Sequence, residues 1–371
     1  MLSQRVRIAI VGVCGTAAAF FVFGGLQALT GQTGSTDPET AIPKSAFLVA
    51  TTNLAELRRS PIHDVLFSDK PETSLVDRKA LGIAKLGQAC GFDPLARVDS
   101  LAVAVPEEGE KGELGVAAKI NVTREELEKC TSSLAARSGE KSEIKDQHGF
   151  GVVEAGGAKL AYGHGGLLLA GKGAWMDAML ATADKAQPSY REAQAHTTIR
   201  RHLTALPGFA GPTVMISALL PRSLRDRIRS EMAGEAPSDP AQAIMSGVLG
   251  VSGVGAAMNA GPKGGSITLA GVFVCDTEDA CASVEKLVSK KRFEWSKELM
   301  LRMVGLGPLL DSIAVKREGT RLTVTAGAPA DQLASVLDRV LRLRAQRMGR
   351  ESEPPIAPRQ LRPDEQIPAK P

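Results

Sequence analysis

The residues from Gly166 to Gly173 come closest to a phosphate-binding loop. Gly166, Gly171 and Lys172 have the spacing of GxxxxGK, in which glycine backbone wraps the phosphates and the lysine contacts them. That motif also needs Ser or Thr after the lysine to hold magnesium, and Gly173 stands there instead. Because the intervening LLLA predicts a strand, we expect no nucleotide site, and no other segment indicates a cofactor.

Ser252 lies in a segment that approaches the nucleophile elbow of serine hydrolases. The elbow reads G-x-S-x-G, whereas here the closing glycine, Gly255, falls one place late. No histidine occurs after His202, so a catalytic base would have to come from upstream. The segment does not favour a hydrolase.

Histidines and carboxylates could also hold a metal ion, but their spacing gives no support for one. None of the histidines, at positions 63, 148, 164, 196 and 202, forms HxH or HExxH. His196 and His202 are six residues apart and face different sides of a helix, so we expect surface or loop histidines. The acidic cluster of Glu107, Glu108 and Glu110 falls in a hairpin loop, where a solvated turn is the default.

The cysteines carry the clearest covalent chemistry. Four lie beyond the N-terminal segment, Cys90, Cys130, Cys275 and Cys281, and an even number invites pairing in an oxidising compartment. We favour Cys90 with Cys130 and Cys275 with Cys281, since each pair then stays within one half of the chain. Four buried thiols are the alternative.

The N-terminus indicates export. Arg5 and Arg7 precede an uncharged apolar run at residues 8–29, which as a helix would span roughly 30 Å, enough to cross a bilayer. Basic residues stay on the cytoplasmic side, so we expect a cytoplasmic stretch at 1–7, a signal-anchor at 8–29 in the inner membrane, and the bulk in the periplasm. Cleavage after Ala28 is the alternative, and it also places the chain outside the cytoplasm.

Composition narrows the class of partner. The net charge is +4 with acids and bases interspersed, which argues against nucleic acid. Aromatic residues make up 4%, which leaves few stacking platforms for single-stranded nucleic acid.

Two halves of the chain show the same order of signals. Each begins with an apolar strand followed by a helix, continues with a hairpin and a capped helix, and closes with two strands and a further helix. We therefore predict an α+β fold of two similar units, each with a mixed or antiparallel sheet and packed helices, after one transmembrane helix. The predicted segments are a flexible linker at 30–43, units at 44–207 and 208–350, and a disordered proline-rich tail at 351–371.

Basic residues gather on two predicted helices. Lys286, Lys290, Lys291 and Arg292 lie on one, and Arg339, Arg342, Arg344, Arg347 and Arg350 lie on the last. Either set could contact anionic lipid headgroups or an acidic partner. A solvated face opposite a buried leucine stripe is the interpretation we favour.

The stretch from Pro43 to Pro61, PKSAFLVATTNLAELRRSP, and the turn from Gly91 to Pro94 carry a resemblance. The chain is similar to a family of exported bacterial proteins of unknown function, which begin with proline, an apolar strand, a leucine-rich helix ending in Ser-Pro, and then a Gly-x-Asp-Pro turn. These motifs are structural, so the resemblance implies an exported protein and transfers no catalytic residue.

These observations together predict a non-enzymatic, membrane-tethered periplasmic protein that binds a protein partner or lipid in the cell envelope. The alternative is an extracytoplasmic, hydrolase-like enzyme whose site is assembled from residues distant in sequence. It would show as a cleft where a histidine meets carboxylates or a serine.

Overall fold

The computed structural model describes residues 36–67, 83–107, 114–133 without 124, 128 and 131, 144–155, 158–232 and 247–351. Its strands form one antiparallel sheet in the order β11-β12-β10-β9-β8-β1-β2-β3-β7-β6-β5-β4. They are β1 Ala46–Asn53, β2 Val98–Pro106, β3 Gly115–Ile120, β4 Ile144–Gln147, β5 Phe150–Ala155, β6 Ala158–Tyr162, β7 Leu167–Lys172, β8 Val214–Leu219, β9 Val251–Ala260, β10 Ser266–Cys275, β11 Ala314–Glu318 and β12 Arg321–Pro329.

The helices connect these strands and cover both faces of the sheet. They are α1 Leu54–Leu57, α2 Pro61–Leu66, α3 Ile83–Cys90, α4 Pro94–Arg97, α5 Gly173–Ala183, α6 Gln194–Thr204, α7 Arg222–Met232, α8 Glu278–Lys297, α9 Leu299–Met303, α10 Gly307–Asp311 and α11 Ala330–Glu351, with short 3-10 turns at Pro38–Ala41, His164–Gly166 and Tyr190–Glu192. Side chains at the cap positions start several of them. Asn53 accepts from the Glu56 N–H and Thr277 accepts from the Ala280 N–H, which satisfies first-turn donors of α1 and α8.

The predicted fold class was wrong, because the two halves share one sheet. β1 pairs with β8 antiparallel, from Leu48 opposite Ala218 to Thr52 opposite Val214, and this seam merges the halves into twelve continuous strands. Local alternation of apolar residues predicts strands but does not say which strands pair across the chain. In the described part of the chain no helix has the length and apolar composition needed to cross a membrane. The predicted span at 8–29 lies outside it, as do residues 352–371 of the tail predicted at 351–371, whose first residue, Glu351, ends α11.

The strand order repeats within the single sheet. From the seam outward, one side runs β1-β2-β3-β7-β6 and the other runs β8-β9-β10-β12-β11, each built from hairpins. The first side carries an additional hairpin, β5-β4, at its edge. The boundaries at 44–207 and 208–350 stay a prediction.

Buried clusters on both faces combine elements from the two halves of the chain. On one face, Ile199 and Leu203 of α6 pack on Met215 and Ala257 of β8 and β9. Gly255 of β9 makes this approach possible, since a Cβ there would lie 2.4 Å from the Ile199 side chain. On the other face α2 packs against α11, where Ile62 shares a buried cluster with Ile267, Ala330 and Ala334.

Part of the predicted linker at 30–43 is packed rather than free. Ala41 and Ile42 are fully buried in the core beneath α5. Glu39 forms ion pairs with Arg191 at 2.7 Å and Arg200 at 2.8 Å, which attach the 3-10 turn at Pro38–Ala41 to the turn before α6 and to α6 itself. The apolar pair Ala41-Ile42 within a polar stretch is the sequence signal for this packing.

Candidate functional site

An exposed apolar surface lies where α8 ends and α9 begins. We call residues 290–303, KKRFEWSKELMLRM, the α8–α9 tip. Earlier in α8, Cys281 and Val284 are buried against the sheet, but every residue from 289 to 295 is exposed. The last turns of α8 therefore project beyond the body of the protein.

Five large apolar side chains of the tip face solvent. Their exposed fractions are 60% for Phe293, 47% for Trp295, 68% for Leu299, 62% for Met300 and 59% for Met303. Together these side chains expose roughly 500 Å² of apolar surface, distributed around the ends of α8 and α9 rather than on one face. Exposed apolar surface of this extent is often a binding surface.

Polar contacts hold the two helices of the tip in place. The Arg302 Nε donates to the Ser296 carbonyl at 2.5 Å, and its guanidinium pairs with Asp311 of α10 at 2.6 Å. The Lys297 Nζ lies 3.8 Å from the centroid of the Phe293 ring. These contacts fix the course of the chain while they leave the apolar side chains uncovered.

Basic residues surround the apolar side chains. Across 290–303 there are five basic residues and two acidic ones. Lys286, Lys290, Lys291 and Arg292, which we had assigned to a solvated helix face, are all exposed, and Lys291 pairs with Glu294 at 2.7 Å. These basic residues were predicted to lie on an exposed helix face, whereas the exposure of the apolar residues that follow them was not predicted. The sequence does carry a sign of this exposed surface. The apolar residues after KKR do not recur at the spacing of one buried helical stripe.

The second basic helix, α11, differs from the tip. Leu341 and Val336 are buried, whereas Val340 is 42% exposed. Arg342 pairs with Asp338 one turn earlier at 2.8 Å. The side chains of residues 343–351 lie outside the described part of the chain.

Both predicted cysteine pairs are present as disulfides. Cys90 is joined to Cys130, and Cys275 is joined to Cys281. The second disulfide links the end of β10 to the first turn of α8. Two disulfides fit an oxidising, extracytoplasmic compartment. Arg5 and Arg7, predicted to set the membrane orientation, lie outside the described residues.

His196 is not the surface or loop residue that we expected. It is fully buried on α6, where its Nε2 donates to the Ala46 carbonyl at 2.9 Å and its Nδ1 accepts from the Ser217 hydroxyl at 2.8 Å. Burial lowers the pKa of the His196 imidazole, against the opposing effect of the bond to Ala46. Since Ala46 is on β1 and Ser217 is on β8, the ring holds α6 over the seam.

The other histidines do not converge. His148 contacts Asp184 at 3.1 Å near the surface, and His63 lies beside Phe67. Burial first, and then Arg321 and Arg201, lower the pKa of His202, which accepts from Arg321 at 2.7 Å. The described residues contain no group of three potential metal ligands.

The remaining sequence candidates are structural elements. Residues 167–172 form β7 and Gly173 begins α5, so the GxxxxGK spacing belongs to a strand. The Ser252 hydroxyl donates to the Val274 carbonyl at 3.2 Å across the β9–β10 pair. In the acidic loop, Glu107 accepts from the Ser223 hydroxyl at 3.2 Å, and Glu108 and Glu110 lie outside the described residues.

No protein-family model and no curated protein matches the chain. Among solved structures, crystal form III of TP0453 is similar with a TM-score of 0.44 and 11% identity, over 82% of this chain and 99% of that chain. Crystal form I of TP0453 has a TM-score of 0.43 and 12% identity, over 82% and 98% of the two chains. This degree of likeness identifies neither a family nor an activity.

Proposed function

We propose that this chain is a non-enzymatic envelope protein that works outside the cytoplasm and inserts its α8–α9 tip into an anionic lipid surface. In this proposal the apolar segment 8–29 holds the chain at the inner membrane. The observation that carries the proposal is the exposure of Phe293, Trp295, Leu299, Met300 and Met303 on a projecting, basic segment.

The free energy of burying the apolar side chains of the tip is large enough to support membrane binding. Burying each of these partly exposed side chains in lipid contributes on the order of 1–2 kcal/mol. Several of them together would give reversible binding comparable to that of a single acyl chain. The tip would therefore add a second contact to a tethered protein rather than anchor it alone.

The charge of the tip complements anionic lipid. Lys290 and Arg292 are exposed next to Phe293, and each basic residue near an anionic surface contributes about 1 kcal/mol. Trp295 adds a side chain that favours the boundary between headgroups and hydrocarbon. A basic segment with aromatic and aliphatic residues is typical of interfacial membrane contact.

The arrangement of the apolar side chains favours lipid over a protein partner. Phe293 and Trp295 are two residues apart on α8 and therefore point to opposite sides of the helix. A protein partner would cover one side, whereas lipid surrounds an inserted tip. Leu299 and Met303 lie one turn apart on α9 and add apolar surface to the tip.

Two further observations support a non-enzymatic protein outside the cytoplasm. The disulfides support the extracytoplasmic compartment. His196 is 0% exposed and its partner Ser217 is 2% exposed, so a substrate could not reach this histidine–serine pair. This burial supports a structural role for a pair that would otherwise suggest a hydrolase.

Vesicle cosedimentation tests the proposal. The chain without residues 1–29 is mixed with vesicles of phosphatidylcholine alone or with phosphatidylglycerol added. We expect binding that rises with phosphatidylglycerol and falls with salt. Leu299→Gln with Met300→Gln should weaken partitioning at least about tenfold, since 1.4 kcal/mol corresponds to a factor of ten.

Val248→Ser with Val340→Ser provides the matched control, because both residues are exposed apolar side chains outside the tip. This variant should bind like the parent. Equal loss in both variants, or no vesicle binding by the parent, contradicts the proposal. If the parent instead self-associates in sedimentation velocity and only the tip variant does not, the tip is an interface between copies of the chain.

A further inference from the structure

A cleft lies at the opposite end of α8 from the tip. It has a volume of about 460 Å³ and is formed where β8 leads into α7, β9 begins, and β10 leads into α8. The cleft is lined by α8 as far as Ser283 and the tip begins at Lys290, so the two sites share no residue and are separated by about 10 Å of helix. The two sites can therefore be tested independently.

One wall of the cleft presents three arginines. Arg222, Arg225 and Arg229 follow one face of α7 and line the cleft. The side chain of Arg225 is only 9% exposed, and one of its terminal nitrogens donates to the Leu249 carbonyl at 2.9 Å and to the Asp276 carboxylate.

Arg225 retains an unused donor. Its Nε is buried and has no hydrogen-bond partner among the residues that the structure describes. A buried donor without an acceptor costs free energy, and this arginine lines the cleft. An acceptor that enters the cleft would remove that cost.

The opposite wall is the N-terminus of α8. Thr277 caps the helix, and the Cys275–Cys281 disulfide encloses Asp276, Thr277, Asp279 and Ala280, all of which line the cleft. The first turn of a long helix carries partial positive charge that favours anions. The disulfide holds this wall in place before any ligand enters, which lowers the cost of binding.

The acidic residues of the cleft are mostly matched by arginines. Asp276 pairs with Arg225, and Asp226 pairs with Arg229 at 2.5 Å. Arg222 then remains against Asp279, so the three arginines and three aspartates of the lining balance. A lining without excess positive charge admits one small anion held by hydrogen-bond donors, such as the Arg225 Nε and the helix N-terminus, and does not favour a polyanion.

We propose that this cleft binds a single tetrahedral oxyanion, a phosphate group carried by a small solute or by a lipid headgroup. Arg222 and the Arg225 Nε donate to its oxygens from one side, and the first turn of α8 faces it from the other. The volume of the cleft admits a phosphate together with a small substituent such as glycerol.

Isothermal titration of the chain without residues 1–29 tests this site, with inorganic phosphate and glycerol phosphate as probes. We expect saturable binding of one equivalent, weakened about tenfold by Arg225→Gln and measurably by Arg222→Gln. Arg222 is exposed, so its replacement should leave the fold intact even if Arg225→Gln does not fold. Arg227→Gln removes the same charge from the same helix outside the cleft, and it should bind like the parent.

Two results overturn the proposal: no saturable binding of either probe, or equal weakening by Arg222→Gln and Arg227→Gln. A soluble short-chain phosphatidic acid that binds more tightly than glycerol phosphate at the same site identifies a lipid headgroup as the source, and equal affinity identifies a free solute. The Leu299→Gln, Met300→Gln variant should bind phosphate normally, so failure of the tip proposal leaves this result unchanged.

Discussion

His196 is the residue on which the centre of the molecule depends. Its two ring nitrogens contact β1 and β8 on either side of the seam, and Tyr190 lies edge-on to the ring with centroids 5.7 Å apart. Because Nε2 donates to a carbonyl and Nδ1 accepts from a hydroxyl, the ring is held neutral.

This geometry predicts a loss of stability in mild acid. Burial depresses the pKa of folded His196, so below the unfolded value of about 6.5 the unfolded chain binds more protons. The contribution of neutral, buried His196 to the free energy of unfolding is complete above that pH. It is lost as the pH falls toward the pKa of His196 in the folded protein. We expect the free energy of unfolding, measured in urea, to fall between pH 7.5 and 5.

His196→Gln keeps a donor and an acceptor but does not titrate. It should be less stable than the parent at pH 7.5, by about 1–3 kcal/mol, and should lose less stability on acidification. The same pH slope in both proteins would show that His196 is not the cause.

Single residues in the interior were the hardest to predict from sequence. His196 was expected on the surface or in a loop, whereas it is buried on α6 and its partners are residues that only the folded sheet brings close. The cysteines were more informative, because an even number in an exported chain restricts the possible pairs.

At the scale of elements, the two disulfides close loops of different length. Cys90 and Cys130 are 40 residues apart, and Cys275 and Cys281 are six apart. In the chain-entropy model the longer loop contributes about 4 kcal/mol and the shorter about 2 kcal/mol.

We therefore expect replacement of Cys90 and Cys130 by alanine to lower the free energy of unfolding more than replacement of Cys275 and Cys281. Urea unfolding of the two double variants measures this difference. A larger loss for the shorter loop would mean that the fixed start of α8 matters more than chain entropy.

Strands and helices were largely predictable, and their packing was not. An apolar segment predicted a strand at the start of each half, and β1 and β8 are found there. The exposed tip was not predictable from periodicity alone, because Phe293 and Leu299 resemble core residues until the structure shows that α8 extends past the sheet.

The whole molecule is joined through its seam. α6 precedes the predicted boundary at 207 yet packs on strands that follow it, and α2 packs on α11. Separation of the halves would expose Ile199, Leu203 and Ile62 to water.

The described part of the chain should therefore unfold as one cooperative unit. In urea, the far-ultraviolet circular dichroism and the fluorescence of Trp175, which is 5% exposed in the first half, should change at the same denaturant concentration. Two separated transitions would contradict the shared core and support independent units.

The fluorescence of Trp295 measures insertion of the α8–α9 tip into lipid most directly. The chain has two tryptophans, and Trp175→Phe leaves Trp295, which is 47% exposed, as the single reporter. If the tip inserts, phosphatidylglycerol vesicles should shift the Trp295 emission to the blue, protect it from iodide, and allow brominated lipid chains to quench it. Emission and iodide quenching that do not change at saturating vesicle concentrations would contradict insertion of the tip.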